Sequence, residues 1–526
     1  MKLKIITLFP LFAASVAFAQ TPVTITCDGS RAEVRSEYDG YDVVAVGKSP
    51  DGSTGKARFF FYNSALKSLT YSSDSAIKDN VAIKPSNLTI NVASTLSGTI
   101  NAFDFSAAEN LQIIGDQSGN HLLKITNEPY AGDSVVAKFS FNNIVSDNVL
   151  LQFDMSADVS GNSYSSDFWS TYPEPRGIYI SKGKVNWNVA TTTLRTGTLF
   201  TIDSGAEFVY NGTSDFTVYN ASIGGALTFN GDSKLTIDKA SVKSTAGTIN
   251  YNGTQAWTND LGIAGTVNYN SETQFVWKSG DLTGKINLAD TSKGLVWQSG
   301  KIAGLITNNS KSNIILQNAT IDAAGQITSA ARVEINGNVD VYGKIRSSNI
   351  LVNGGGKIAL NVKDAILNTS DAATILVVKH GATISVAADN TVGQLYFAGV
   401  GESTINLELL GNAVLELDKI SLYEDTTTGQ HLSKGTLSVS GFADNRIFVT
   451  EDAKGTFENN NRFFFSATVD GKTITKEELQ FVLGAFGGKD GYWVNLAAVP
   501  EPAEWAAIIG AIALGFAMYR RRNLKK

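Results

Sequence analysis

The middle of the chain repeats itself about every 20 residues, and no other feature restricts the fold so strongly. Gly225, Gly247, Gly265, Gly284, Gly304, Gly325 and Gly343 fall at near-equal intervals, with a mean of about 19.7 residues over the six. Most of them open the same short pattern: glycine, any residue, an aliphatic, then Asn or Thr. It reads Gly247-Thr-Ile249-Asn250, Gly265-Thr-Val267-Asn268, Gly284-Lys-Ile286-Asn287, Gly304-Leu-Ile306-Thr307 and Gly325-Gln-Ile327-Thr328. A unit this short cannot bury an apolar face by itself, so successive units must cover one another.

A second strand recurs in each unit. Phe275-Val276-Trp277-Lys278-Ser279-Gly280 returns 20 residues later as Leu295-Val296-Trp297-Gln298-Ser299-Gly300. At the same interval Ile237, Trp257, Trp277 and Trp297 form a column that continues to Leu316. Two or three short strands joined by glycine turns would make one coil, with the next coil stacked about 4.8 Å away through parallel ladder bonds. Ile249, Val267, Ile286, Ile306 and Ile327 would form a second column. Glycine is expected at the corners because φ there would be positive. Asn250, Asn268 and Asn287 match in position and read either as a side-chain amide ladder or as solvated turn residues. Trp257, Trp277 and Trp297 read either as a stacked core or as an exposed strip for sugar rings.

Short alternating strands continue on both sides, from about Val81 to Asn188 and from Ile350 to Leu417, and they define a solenoid over 80–445. At about 20 residues per coil such a stretch would make about 18 coils, stacked about 4.8 Å apart. Residues 20–79 are expected to form an N-terminal cap and 446–498 a C-terminal one. In the latter, Thr475 and Glu478 fit a capping box that opens a short helix. Residues 169–177 read as an excursion loop.

Composition narrows the chemistry. Setting aside the seven Lys and Arg and the two Glu of the end segments leaves 36 cations against 47 anions, a formal charge of −11 for the body. An acidic body excludes nucleic acid as a partner, because phosphate binding needs clustered Lys and Arg. Only 17% of residues are charged, so acid-base groups are scarce. His121, His380 and His431 lie far apart in the chain. Asp281 and Asp322 are the candidate paired carboxylates across coils, against a reading as turn residues. The Gly-Gly-x-Gly-x-Asp repeat of calcium-binding β-helices is absent. The polygalacturonase pattern also fails: Thr258-Asn259-Asp260 has the wrong order, Lys344-Ile345-Arg346 is only superficially similar, and there is no Gly-His-Gly. Neither a cofactor nor a metal is expected. Cys27 is the single cysteine, so the chain forms no internal disulfide.

Both ends point to export. Lys2 and Lys4 precede an apolar run, Ile5 to Val16, and Ala17-Phe18-Ala19 is a small-x-small site cleaved before Gln20, the pattern of a signal peptide over 1–19. At the other end Val499-Pro500-Glu501-Pro502 is followed by an apolar stretch over 503–519, expected to be a transmembrane helix, and then by Arg520, Arg521 and Arg522. This three-part tail, 499–526, resembles the PEP-CTERM sorting signal of exported Gram-negative proteins. The resemblance implies an exosortase-like membrane enzyme as partner, processing near the triplet and delivery to the cell envelope or surface. A simple membrane anchor is the alternative for the same residues. The fold class that follows is all-β: a single-stranded right-handed parallel β-helix with caps, one signal peptide and one C-terminal transmembrane helix. The function expected is a non-catalytic structural or adhesive surface protein facing extracellular polysaccharide. The competing class is a polysaccharide lyase or hydrolase on the same fold.

Overall fold

A computed structural model describes residues 21–27, 31–48, 57–62, 64–73, 81–86, 88–91, 98–114, 122–126, 135–147, 149–167, 176–369, 372–497 and 502–523. The signal peptide with Ala19 and Gln20, Val499 with Pro500 and Glu501 of the triplet, His121 and most of the 169–177 loop lie outside them. The described chain is mostly β and built from long parallel sheets, the architecture of a β-solenoid. It divides into two compact units, residues 1–257 with 264–271, and residues 258–263 with 272–526.

In the first unit one parallel ladder passes through Val23–Cys27, Asp42–Gly47, Ser68–Ser73, Gly98–Ile114, Val135–Asp147, Ala157–Asp167, Lys184–Thr193, Glu207–Tyr210, Ala226–Phe229, Thr248–Tyr251 and Thr266–Tyr269. A second runs from Ala65–Leu66 through Leu88–Asn91, Leu122–Thr126, Leu150–Asp154, Gly177–Lys182 and Leu199–Ile202 to Ala221–Ile223. The ladder thus begins at Val23, within the stretch expected as a separate cap. Val43, Ala45, Phe59, Phe61 and Leu69 are buried there as in the later coils. Their spacing is irregular and no glycine pattern opens each coil, so the repeat does not show in the sequence.

The second unit has three strands per coil, as in Leu305–Asn308, Ile314–Leu316 and Ala319–Ile321, before the next coil opens at Gln326–Ser329. Ile286, Ile306, Ile327, Ile345 and Ile366 superpose down one ladder. Trp277, Trp297, Leu316, Ile335, Val352, Val378 and Phe397 superpose down another. Many strands alternate buried and partly exposed residues, because successive side chains point to opposite faces, while others such as Lys357–Leu360 and Leu415–Leu417 are buried over three consecutive residues. Both columns are buried.

Two expectations are corrected. Trp257 does not precede Trp277 in its column: the ladder partner of Trp277 in the preceding coil is Asn259. The interval from Gly247 to Gly265 is 18 residues rather than 20, which moves the register by two and returns the same face inward. Trp257 is buried against Tyr251, with ring centroids 5.4 Å apart. The glycines that open each repeat, secondly, do not have positive φ, whereas Gly280 and Gly300, which close the Trp277 and Trp297 strands, do, at 98° and 112°. Among the repeat glycines it is the neighbouring coil that leaves no room: a Cβ on Gly265 would lie 1.8 Å from the Gly247 carbonyl oxygen, and one on Gly304 1.8 Å from that of Gly284.

At the C-terminal side of the second unit the parallel order ends. Phe463–Val469 takes Lys472–Thr475 as an antiparallel neighbour, and Ile447–Val449 takes Lys489–Leu496, itself antiparallel to Leu479–Phe486. Helix α1, Glu451–Asn459, buries Ala453 and Phe457, with Phe457 against Phe463 and Phe481 at 4.9 and 5.6 Å. Glu451 and Asp452 in its first turn suit the positive end of the helix dipole. The Thr475 capping box is formed, the Thr475 N–H donating to Glu478 Oε2 at 2.9 Å. It opens only the 3-10 turn Lys476–Glu478, since Leu479 onward is committed to the antiparallel pair.

Helix α2, Pro502–Asn523, covers the apolar tail. Among the described residues no helix is long and apolar enough to cross a membrane. The eleven residues Ile509 to Tyr519, whose side chains are described, are exposed.

Trp277→Ala removes a ring that is fully buried and stacked 4.5 Å from Trp297. The cavity is expected to cost about 3–5 kcal/mol in denaturant unfolding; a loss under about 1 kcal/mol would contradict the buried stack.

Candidate functional site

The outward face of the first unit's long ladder carries the most ordered polar array of the described residues. Parallel pairing superposes equivalent positions, so an asparagine repeated at the coil period meets its own kind. The Nδ2 of Asn211 donates to Asn188 Oδ1 at 2.8 Å, Asn230 to Asn211 at 2.8 Å, Asn252 to Asn230 at 2.7 Å and Asn270 to Asn252 at 2.8 Å. All five side chains are exposed. An amide has two N–H donors and two acceptor lone pairs, and the ladder uses one of each per rung.

Two residues along the strands a parallel row runs beside it. Asn268 donates to Asn250 at 2.8 Å, Asn250 to Thr228 at 3.1 Å, and Asn186 to Asp158 at 2.7 Å. Val209, in register with Asn186 and Thr228, interrupts this row. Beside the interruption Lys138, Asp158, Ser160, Asn186, Asn188 and Asn211 line an open cavity of about 450 Å³. The five-membered row, Asn188 to Asn270, was not singled out by sequence reasoning, which marked Asn250, Asn268 and Asn287. The signal was the residue after each Phe or Tyr: Phe229-Asn230, Tyr251-Asn252 and Tyr269-Asn270.

The other sequence candidates are placed as follows. Trp257, Trp277 and Trp297 are at most 1% exposed, so they offer no face to a sugar ring. The indole N–H of Trp277 donates to the Gly280 carbonyl at 3.0 Å. Asp281 accepts the Lys301 backbone N–H of the next coil at 2.9 Å, and Asp322 that of its neighbour Ala323 at 2.8 Å; each carboxylate is engaged with backbone at a corner. His380 and His431 are exposed and hydrogen-bond to backbone groups near them. Cys27 is buried. Pro502 begins helix α2, Arg520 is exposed on it, and Arg521 and Arg522 continue it.

One buried carboxylate stands out on the first unit's second ladder. Asp154, 5% exposed, lies 3.0 Å from Lys124 Nζ and 3.4 Å from Lys182 Nζ, and accepts from Ser181 Oγ at 3.0 Å and Thr126 Oγ1 at 3.3 Å. Its burial opposes ionisation, but the hydrogen bonds from Lys124 and Ser181 and the charges of Lys124 and Lys182 outweigh it and hold its pKa below the usual carboxylate value. The group ties three successive coils, Thr126 and Lys182 being its ladder neighbours.

No family model, no curated protein and no solved structure matches this chain.

Because the folded-state pKa of Asp154 lies below its unfolded value, its contribution is complete above the unfolded pKa of about 3.9 and is lost as pH falls through the folded pKa. Asp154→Asn is therefore expected to destabilise the protein by about 1–3 kcal/mol at neutral pH and to flatten the loss of stability below about pH 4. Urea unfolding of both proteins from pH 7 to pH 2 measures this; parallel stability curves would refute it.

Proposed function

We propose that this chain is an exported cell-surface protein of a Gram-negative envelope, a structural or adhesive β-helix that meets extracellular polysaccharide and carries out no catalysis. The observation that carries the reading is the exposed asparagine ladder from Asn188 to Asn270 with the polar cavity beside it. Rungs about 4.8 Å apart present amide donors and acceptors in a line, a chemistry suited to the hydroxyls of a polyol chain. Each contact is weak, and many contacts on one chain add through effective concentration. The coils are taken as right-handed, since parallel crossovers have that hand in about 98% of cases.

Delivery rests on the tail. Val499, Pro500, Glu501 and Pro502 would mark the processing point for an exosortase-like enzyme. The stretch over 503–519 would enter the membrane before processing, with Arg520, Arg521 and Arg522 on the cytoplasmic side.

Two experiments test the two halves. In a glycan-array and polysaccharide pull-down assay the full chain is expected to bind at least one extracellular polysaccharide, and Asn188→Ala with Asn211→Ala is expected to weaken that binding about tenfold. Equal binding by the double variant removes the amide face from the reading, and release of new reducing ends from the polysaccharide replaces adhesion with catalysis. For the tail, Glu501→Ala is expected to block processing while the protein still reaches the membrane fraction, and neutral replacement of Arg520, Arg521 and Arg522 to impair orientation. Surface-exposure and mass measurements on both variants decide: a Glu501→Ala protein processed like the parent would leave a simple anchor.

A further inference from the structure

A second cavity, of about 430 Å³, lies in the second unit beneath the tip of its C-terminal hairpin. Leu479–Phe486 and Lys489–Leu496 are joined through Gly487 and Gly488, with φ of 59° and 83°, the left-handed pair that a two-residue hairpin turn needs. This tip overhangs the coil edge closely enough that a Cβ on Gly487 would lie 3.4 Å from Glu416 Oε2. The volume is at the small end of the range of small-molecule sites, about 300–1,000 Å³.

The lining sorts into groups already committed and groups with capacity to spare. Glu416, 2% exposed, accepts from Thr391 Oγ1 at 2.8 Å and lies 2.8 Å from Lys489 Nζ, which also bonds both Asp418 oxygens at 2.9 and 3.0 Å. That ammonium is therefore spent on fixing the hairpin tip. Asn390 is likewise spent, its amide donating to the carbonyls of Val362 and Ala388 and accepting from the Ala365 N–H. By contrast, among the described residues neither the Lys363 nor the Asp364 side chain has a hydrogen bond or ion pair. Asp389, also in the lining, uses Oδ1 to accept the Val414 N–H at 2.9 Å, and no hydrogen bond to its Oδ2 is formed among the described residues. Leu367 and Phe486 supply an apolar wall, and Phe486 is held in place by Phe448 and Trp493, with ring centroids 5.8 and 5.6 Å away.

We propose that this cavity binds one neutral pyranose ring, its C–H face against Phe486 and Leu367 and its hydroxyls donating to Asp364 and Asp389. A ring of that kind has one apolar face and a polar rim, the same division that the lining has. An anionic sugar fits less well, because the lining sets Asp364, Asp389 and Glu416 against Lys363 and Lys489, a net negative set. A metal ion fits less well too: among the described residues no group of three or more acidic, His or Cys side chains is placed to hold one. The proposal is independent of the asparagine ladder, which lies in the other unit.

The test is ligand-observed NMR on the full chain with methyl glycosides of glucose, galactose, mannose and N-acetylglucosamine, and with glucuronate as the anionic control. Saturable binding of at least one neutral glycoside is expected, weakened about tenfold by Asp364→Asn and measurably by Lys363→Met. Both side chains are exposed and unshared among the described residues, so both variants should melt like the parent. Asn188→Ala with Asn211→Ala should leave glycoside affinity unchanged, which separates this site from the polysaccharide-facing surface. No saturable binding by any neutral glycoside, glucuronate binding as tightly as the best of them, or unchanged affinity in both cavity variants would each overturn the proposal.

Discussion

The parallel ladder between successive coils is the interaction on which everything else depends. Each strand passes its hydrogen bonds to the strand one coil away, so a residue is stacked on the residue about 20 positions later rather than on its chain neighbours. Register is held by the ladder rather than by a fixed coil length, and the corners absorb the difference. Ile286 pairs with Ile306 after 20 residues, Ile306 with Ile327 after 21 and Ile327 with Ile345 after 18, all of them buried. The 18-residue interval between Gly247 and Gly265 keeps Ile249 on Val267 and Tyr251 on Tyr269 while shortening the path elsewhere in the coil. The close approach of coils at the corners follows from the same geometry, and it excludes a side chain at Gly265 and Gly304 because a carbonyl already stands there.

A parallel stack has no natural end, since its last coil offers unpaired donors and acceptors to any passing strand. The second unit answers this by changing the direction of the chain. Antiparallel hairpins join two of its ladders, and α1 lays Phe457 over the aromatic cluster of Phe463 and Phe481. Lys489 ties the hairpin tip to Glu416 and Asp418, residues more than 70 positions earlier. Breaking such a tie would leave Glu416 buried without its counter-charge, which is costlier than the pair itself is favourable.

The columns were legible because one residue type repeated at one interval: Ile286, Ile306 and Ile327 could be read from glycine spacing. What escaped was whatever did not repeat by type. Tyr210, Phe229, Tyr251 and Tyr269 form an in-register ring stack with centroids 5.3–5.4 Å apart, yet their chemistry alternates and the tryptophans drew attention instead. Trp257 sat at the right interval from Trp277 and still belonged elsewhere, because a fixed period of 20 cannot follow coils of 18 to 22. The N-terminal coils escaped for the same reason. Helix α1 had no periodic signal over only nine residues, and the cavity under the hairpin joins positions from 363 to 489 that only the fold brings together.

The same register that builds the core also writes the surface. An inward column of identical aliphatics gains by burial, whereas an outward column of identical charges would repel at about 4.8 Å in every coil. Asparagine is the polar residue that gains from meeting itself, because each amide donates to one neighbour and accepts from the other. Threonine at position 228 and aspartate at 158 can terminate or accept from such a row, whereas a row of aspartates would repel itself at neutral pH unless cations neutralised it. A low content of charged residues and a wealth of Asn, Ser and Thr are thus consequences of stacking like on like, and they leave a face whose chemistry is that of hydroxyl and amide exchange. Acidic character is carried mainly at corners and on coils where the neighbour differs, as at Asp281, Asp322 and the Asp154 cluster with its two lysines; Asp147 and Asp167, which are ladder partners, are an exception at the ends of their strands.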